Sequence, residues 1–597
     1  MLAAMLSPIA VPFNLSNTLG DGMVLQRAPQ SAVVWGFGTP GAKISLDFSG
    51  KSLSAVVDGN STWRMTLPPT PATKTGTTLT FSDGTDHLAL KDVLFGDVFL
   101  CSGQSNMQYT PRSMAGMNNM SAEVAAADGY AATMRFFTVG MDTSCGEPVK
   151  GQIDCSQPFN NLNVAIRPQR NHTCAGGRSC REAWEPASAA ALGGSAWNTF
   201  SALCWLMGRD LHDALGGEVP IGLISSNWGG TPVQAWQPLA SVRDCGSPTA
   251  TAGGSLYNSM VAPFAVGPMA LTGAAWYQGE ANVGSAGYYA CAFPSMIARW
   301  REAFGSPRLW FGFVQVAGWA YSRPYGPGLP ETGHSEAAGD LRQAQLAALQ
   351  LPAPIGMTTA IDTGDWKNIH PPDKQAPARR LAHQALGQIY GRKVAGAEFP
   401  LYAGSSVAQQ GTAVRVRVAV RAGVSGAPIA LTTAAPAAAT QSSTLGQPGS
   451  VPRTECVTYG QPSAFPQDCG YPAILGVLAN GTEVSLNASA AIGADGSSIV
   501  LSANTAPAGF TPTASSYGRA SWPRTVFFSK DGLPVIPWYA NFTTTNPWTP
   551  PPPRASSPAL GEAAVAQLRH RVEHATTAAA AAAAAEKQKA VTMVEAK

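Results

Sequence analysis

The chain has 597 residues, a formal net charge of +3 and 13 % charged residues, against about 25 % in an ordinary soluble protein, and its length implies three or four compact units. Lysines and arginines are scattered rather than clustered, which excludes a polyanion-binding stripe and with it nucleic acid as a partner. Apolar stretches such as Ala187 to Leu192 fall well short of the roughly 18 residues that a bilayer span needs.

The start, Met1 to Phe13, lacks a basic n-region and has a proline-broken apolar stretch, so it reads as a poor signal peptide. From Asn14 to Lys91, short alternating runs such as Ser31-Ala-Val-Val-Trp-Gly and Lys43-Ile-Ser-Leu-Asp-Phe are parted by Gly, Pro and Asp turns, predicting a small β-sandwich over 14–91. From 92 to 393 the rhythm changes. Strands Val98 to Cys101, Met134 to Val139, Ile221 to Ser225, Leu271 to Tyr277 and Leu309 to Val316 alternate with segments of helical period, the signature of a parallel sheet with helices on both faces.

Within this unit a polar insertion over about 142–185 crowds Cys145, Cys155, Cys174 and Cys180 together. Their spacing matches no zinc pattern and His172 stands alone, so disulfides are expected there rather than metal. Sequons at Asn14, Asn60, Asn119, Asn171, Asn480, Asn487 and Asn541, with the cysteines, favour the secretory route and a secreted, extracellular or lysosomal location. Short strands return over 394–545, as in Ala413-Val-Arg-Val-Arg-Val-Ala-Val, and predict a second β-rich domain. Residues 546–597 read as a Pro-rich and then Ala-rich tail with no chemistry.

Four segments in the α/β unit carry candidate chemistry. Gly96-Asp-Val-Phe-Leu-Cys-Ser-Gly-Gln-Ser-Asn-Met places a strand, a tight turn and a helix start, so Ser105 stands at the carboxyl edge of the sheet, where ligands bind. A serine in a turn is more often a turn or cap residue than a nucleophile, and the other three segments shift that balance. Asn227-Trp-Gly-Gly-Thr-Pro and Trp276-Tyr-Gln-Gly-Glu-Ala-Asn follow two further strands, so the Gly230 N–H and the Asn282 amide converge near the same edge as oxyanion donors. Either loop taken alone is an ordinary Gly-rich loop. Asp362-Thr-Gly-Asp-Trp-Lys-Asn-Ile-His-Pro then supplies His370 on an extended loop as a base for Ser105.

Together with Met23-Val-Leu-Gln-Arg, Val34-Trp-Gly-Phe-Gly-Thr-Pro-Gly and Asp373-Lys-Gln, these segments resemble, in order, the sialate O-acetylesterases of the SGNH-hydrolase superfamily. The resemblance implies an α/β fold: an SGNH-hydrolase three-layer α/β/α domain with a five-stranded parallel sheet, flanked by β-rich domains. It implies a serine esterase on acetylated carbohydrate with no metal or organic cofactor. By position Ser105 is the nucleophile, His370 the general base, and the Ser105 and Gly230 N–H groups with the Asn282 amide form the oxyanion hole.

In many members of the family it resembles, an aspartate stands two or three residues before the histidine, where this chain has Lys367 and Asn368. The third catalytic member therefore stays open between Asp365, Glu280 and a plain Ser–His dyad. The substrate is expected to be an O-acetyl ester of sialic acid. Two readings compete with it: an esterase for acetylated plant or algal polysaccharide such as xylan, and a non-catalytic carbohydrate-binding protein on the same fold. Loops around Trp228, Trp236, Trp276 and Trp366 suit stacking on a sugar ring, although tryptophan more often ends in a core.

Overall fold

In a computed structural model the chain is described for residues 11–542 apart from 115–119, 140–170, 175–177, 182, 195–196, 198, 247–253, 268, 320, 322–336, 366–367, 424, 434–471, 522 and 524–525. Cys145, Cys155, Asn119, Trp366, the first ten residues and the 546–597 tail lie outside that range. Cys174 and Cys180 fall in a short antiparallel hairpin, Asn171–Cys174 with Arg178–Arg181.

The axis of the molecule is one 17-residue strand, His87–Gly103. Its first residues alternate between exposed and buried and pair antiparallel with Thr73–Ser82, as a half-solvated sheet demands. From Val93 onward every residue is buried, and the strand runs parallel between Ile221–Asn227 and Gly273–Tyr277. The boundary expected after Lys91 therefore falls inside a continuous strand that serves two sheets. The N-terminal part adds a three-stranded sheet of Asn14–Leu15, Val33–Phe37 and Thr62–Thr66, and its core holds Val34, Ile44, Leu46, Trp63, Leu79 and Phe81.

The central sheet has six parallel strands, one more than the five expected. Their order is Met134–Thr138, Ile221–Asn227, His87–Gly103, Gly273–Tyr277, Trp310–Gln315 and Ile355–Thr359, with a short antiparallel strand, Trp184–Pro186, at the first edge. The unforeseen strand, Ile355–Thr359, is Ile-Gly-Met-Thr-Thr, too polar and too short to announce itself as buried.

Alternate side chains of the central strand enter different cores. Val98 and Leu100 pack in the cluster that includes Phe293, Ile297 and Trp300 of helix Ala286–Ala303. Phe99 and Cys101 pack in another, with Leu203, Trp205 and Leu206 of helix Ala202–Ala214 and Leu381 and Ala385 of helix Gln375–Gln388. Disulfides join Cys101 to Cys204, strand to helix, and Cys245 to Cys291.

Beyond Phe399, two four-stranded antiparallel sheets enclose a third core. In strand Ala413–Ala422, Val414, Val416, Val418 and Val420 point inward while Arg415 and Arg417 are exposed, as their alternation predicted. This unit is tied to the α/β body through Arg519, which pairs with Asp340, and through Arg342, which donates to the Ala520 and Ser521 carbonyls.

Among the described residues no helix is long and apolar enough to cross a membrane.

Candidate active site

Three adjacent parallel strands end in register at Gly103, Asn227 and Tyr277, and the loops that follow them are laced together. The Gln104 N–H donates to the Tyr277 carbonyl (3.0 Å) and the Trp228 N–H to the Gly103 carbonyl (3.0 Å). Gly103 sits at φ +139° with its Cα over the Tyr277 carbonyl, so a Cβ there would lie 2.2 Å from that oxygen; only glycine lets the chain turn here. Gln104 then accepts from the Gly279 and Ala281 N–H groups through its side chain (3.3 and 3.2 Å). Ser105 opens the short helix Ser105–Gln108.

His370 reaches this turn from the loop after Ile355–Thr359. Its Nε2 lies 2.8 Å from Ser105 Oγ. The ring stacks on Tyr109, with centroids 6.2 Å apart, and takes the edge of Trp197 at 4.9 Å. Its own backbone N–H donates to the Asn368 side chain (2.9 Å). Burial, and then the nearby Lys374 charge, push the imidazole down to about 4, so at neutral pH it is the uncharged form that can accept a proton.

That shift sets a pH dependence. If neutral His370 is the base, kcat/KM holds from neutrality down to about pH 5 and falls as the pH drops through about 4. A pH–rate profile with its acid limb near 6.5, the range of an ordinary histidine, contradicts this assignment.

The Gly229 N–H donates to the Gln108 side chain (2.8 Å), and a Cβ on Gly229 would stand 3.2 Å from that of Ser105. Gly230, next in the chain, is exposed at φ +76°. Asn282 is buried, and its Oδ1 accepts from the Val233 N–H and from Gln278 (both 2.8 Å) while its Nδ2 donates to Gln234 (3.1 Å). One N–H of that amide is thus already used.

Of the two carboxylates weighed for the third place, Glu280 is buried and faces elsewhere. Its Oε1 accepts from Asn106 Nδ2 at 2.5 Å rather than from His370. Burial holds this carboxyl above its ordinary range. Asp365 lies five residues ahead of His370, its carbonyl accepting from the Asn368 N–H (3.3 Å). Its charge, after burial, helps push the Tyr109 hydroxyl up to about 12, which places it near the ring that covers the imidazole. Among the described residues no group of three or more His, Cys, Asp or Glu is placed to hold a metal ion.

The sialate O-acetylesterase of Homo sapiens is 32 % identical over 428 residues, covering 66 % of this chain and 74 % of that protein. This chain belongs to the sialate O-acetylesterase family. The sialate O-acetylesterase of Mus musculus is 30 % identical over 446 residues, covering 64 % of this chain and 74 % of its own. A family model described as carbohydrate esterase, sialic acid-specific acetylesterase, matches residues 182–393, which include Gly229, Glu280 and His370 but not Ser105. The crystal structure of a carbohydrate acetylesterase from Xanthomonas citri is similar with a TM-score of 0.64 and 26 % identity over 89 % of this chain and 99 % of that one. Membership in the sialate O-acetylesterase family makes the protein a carboxylic ester hydrolase.

The structure thus brings Ser105 and His370 into contact, sets Gly230 one residue beyond Gly229, whose N–H is held by Gln108, and ties the Asn282 loop to residues 231–234. Trp236 and Trp276, read from sequence as possible stacking residues, are fully buried core members, and Trp228 is half-buried. Reasoning on sequence missed Gly229, Asn106, Lys374, Tyr109 and Trp197. The first three lie inside quoted motifs, where only their neighbours had a chemical reason to be singled out. Trp197, at φ +68°, meets Tyr109 across 88 residues of chain and left no local signal.

Proposed function

We propose that the protein is a serine esterase that removes O-acetyl groups from sialic acids, 9-O-acetyl sialic acid among them, through an acetyl-enzyme on Ser105. The observation that carries this reading is the 2.8 Å approach of His370 Nε2 to Ser105 Oγ at the carboxyl edge of a parallel sheet. A protein that only binds sugar has no use for that contact. The two cores on opposite sides of the central strand support an SGNH-type three-layer body over 92–393, with β-rich units over 14–91 and 394–545. The sequons and the two disulfides support a secreted or lysosomal site of action.

In this mechanism neutral His370 takes the Ser105 proton as Oγ attacks the acetyl carbonyl, and returns it to the departing sugar oxygen. Water then attacks the acetyl-enzyme with the same base. The Ser105 and Gly230 N–H groups and the remaining N–H of Asn282 are assigned to the developing oxyanion. Asp365 is assigned the acid's place, because the Glu280 carboxylate is taken up by Asn106.

The test is acetate release from 9-O-acetylated sialic acid and from acetylated xylan, measured in parallel on the wild type and on D365N. Release from the sialic acid is expected, slowed in D365N by about tenfold or more. Release from xylan alone moves the protein to the polysaccharide reading, no release from either supports the binding protein, and an unaffected D365N leaves a Ser–His dyad.

A further inference from the structure

Lys374 is wholly buried, four residues beyond His370, and no step of the reaction needs it. Its ammonium donates to Asn106 Oδ1 (2.8 Å) and to the Pro371 carbonyl (2.5 Å), and lies 4.4 Å above the Tyr109 ring and 5.6 Å from that of Tyr277. Asn106, the residue after the nucleophile, turns its Nδ2 to Glu280 Oε1 (2.5 Å) and to the Ile369 carbonyl (3.0 Å). The two carbonyls that flank His370 in the chain are therefore each held, one by Asn106 and one by Lys374. Both grips converge on a side chain adjacent to Ser105.

Resting on the esterase reading above, we propose that Lys374 and Asn106 are positioning residues that fix the His370 backbone relative to Ser105, with Glu280 as the buried counter-charge of Lys374. The physical reason is the cost of the arrangement. A buried ammonium and a buried carboxylate are each expensive to desolvate. A packed apolar pair would be the more stable filling, so the charges are retained for what they hold. What they hold is the loop that carries the base.

The charged and titratable side chains facing Lys374 are Glu280 from the loop after Gly273–Tyr277, its chain neighbour Asp373, Tyr109 and Tyr277 through their rings, and His370. Burial pushes Lys374 down to about 7 against the attraction of Glu280 and then Asp373. As long as it is charged it also disfavours protonation of His370. A positioning role through this charge therefore has a signature beyond lost stability.

The experiment compares wild type, Ser105→Ala, Lys374→Met and the double variant Glu280→Gln/Lys374→Met in acetate release from 9-O-acetylated sialic acid, across pH and with the folded fraction measured by circular dichroism. In K374M kcat is expected to fall about 100-fold, the scale of a small misplacement of a catalytic group, with KM within a few-fold. The acid limb of kcat/KM is expected to move up by about one pH unit. The double variant, which removes Lys374 together with the Glu280 charge and keeps an acceptor for Asn106, is expected to recover about tenfold of kcat with the limb still displaced.

A K374M enzyme with wild-type kcat, or a loss that follows the folded fraction while the limb stays in place, overturns the proposal. Should K374M fail to fold, the limb of the double variant decides alone: displaced supports it, unmoved overturns it. No acetate release by the wild type instead overturns the esterase reading, and activity surviving in Ser105→Ala removes Ser105 as its nucleophile, so these failures are separable from that of the proposal.

Discussion

Ser105→Ala is expected to lower kcat for acetate release by about 10⁴- to 10⁶-fold, the range set by removing the nucleophile of a serine hydrolase. The atom lost is the one that His370 Nε2 approaches at 2.8 Å. The atoms that hold the turn are not touched: the Gln104 N–H remains on the Tyr277 carbonyl, the Gln104 side chain on the Gly279 and Ala281 N–H groups, and an alanine Cβ still fits beside Gly229. KM should therefore change by only a few-fold and thermal unfolding should be unchanged. Nucleophile and base act as a unit, so adding His370→Ala to the variant should cost no more than a further few-fold. Acetate release by purified S105A at more than about a tenth of the wild-type rate removes Ser105 from the mechanism.

The largest effect on stability is expected at the far end of the histidine loop. Arg380, in helix Gln375–Gln388, donates both guanidinium arms to Asp362 (2.8 and 2.6 Å) and one also to the Thr359 carbonyl (2.8 Å), with the Asp362 side chain completely buried. Asp362→Ala leaves that guanidinium buried without its bidentate partner and with only the charge of Asp373 near it, and should cost about 3–5 kcal/mol in denaturant unfolding of the α/β body. The cost comes from the stranded charge rather than from the lost attraction. The double replacement Asp362→Leu/Arg380→Met should accordingly recover most of it. A D362A variant within about 1 kcal/mol of wild type shows that water reaches Arg380 and that the pair does not anchor the loop.

What the sequence made legible follows from which signals are local. Strand Val98–Cys101 and its neighbours were readable because a strand buried on both faces must be a continuous apolar run, and the Ser105 turn because a strand must end before a Gly-Gln-Ser-Asn sequence of that kind. The alternation in Lys43–Phe48 and the Arg–Val alternation of 413–420 were readable for the same reason at period two. Ile355–Thr359 was not, because two threonines and a glycine carry no such run. The clamp on His370 was invisible for a different reason. Asn106 and Lys374 are separated by 268 residues, and a polar side chain in a loop gives no sign of whether it will face water or another loop. The choice between Asp365 and Glu280 turned on the same blindness, and it needed the Asn106 contact before the Glu280 carboxylate could be accounted for.

The strand His87–Gly103 belongs at one end to the N-terminal sheet and at the other to the sheet that presents Ser105. Many multidomain enzymes are beads on a string, and their accessory modules can be trimmed, swapped or inherited separately. Here a cut between the first two units would sever a hydrogen-bonded ladder ten residues upstream of the nucleophile's turn and expose apolar edges on both pieces. The N-terminal module is consequently not detachable: a truncated esterase starting near residue 92 should aggregate rather than work more simply. Chimeras that exchange this module between relatives must carry the whole strand, and Ser105 with it.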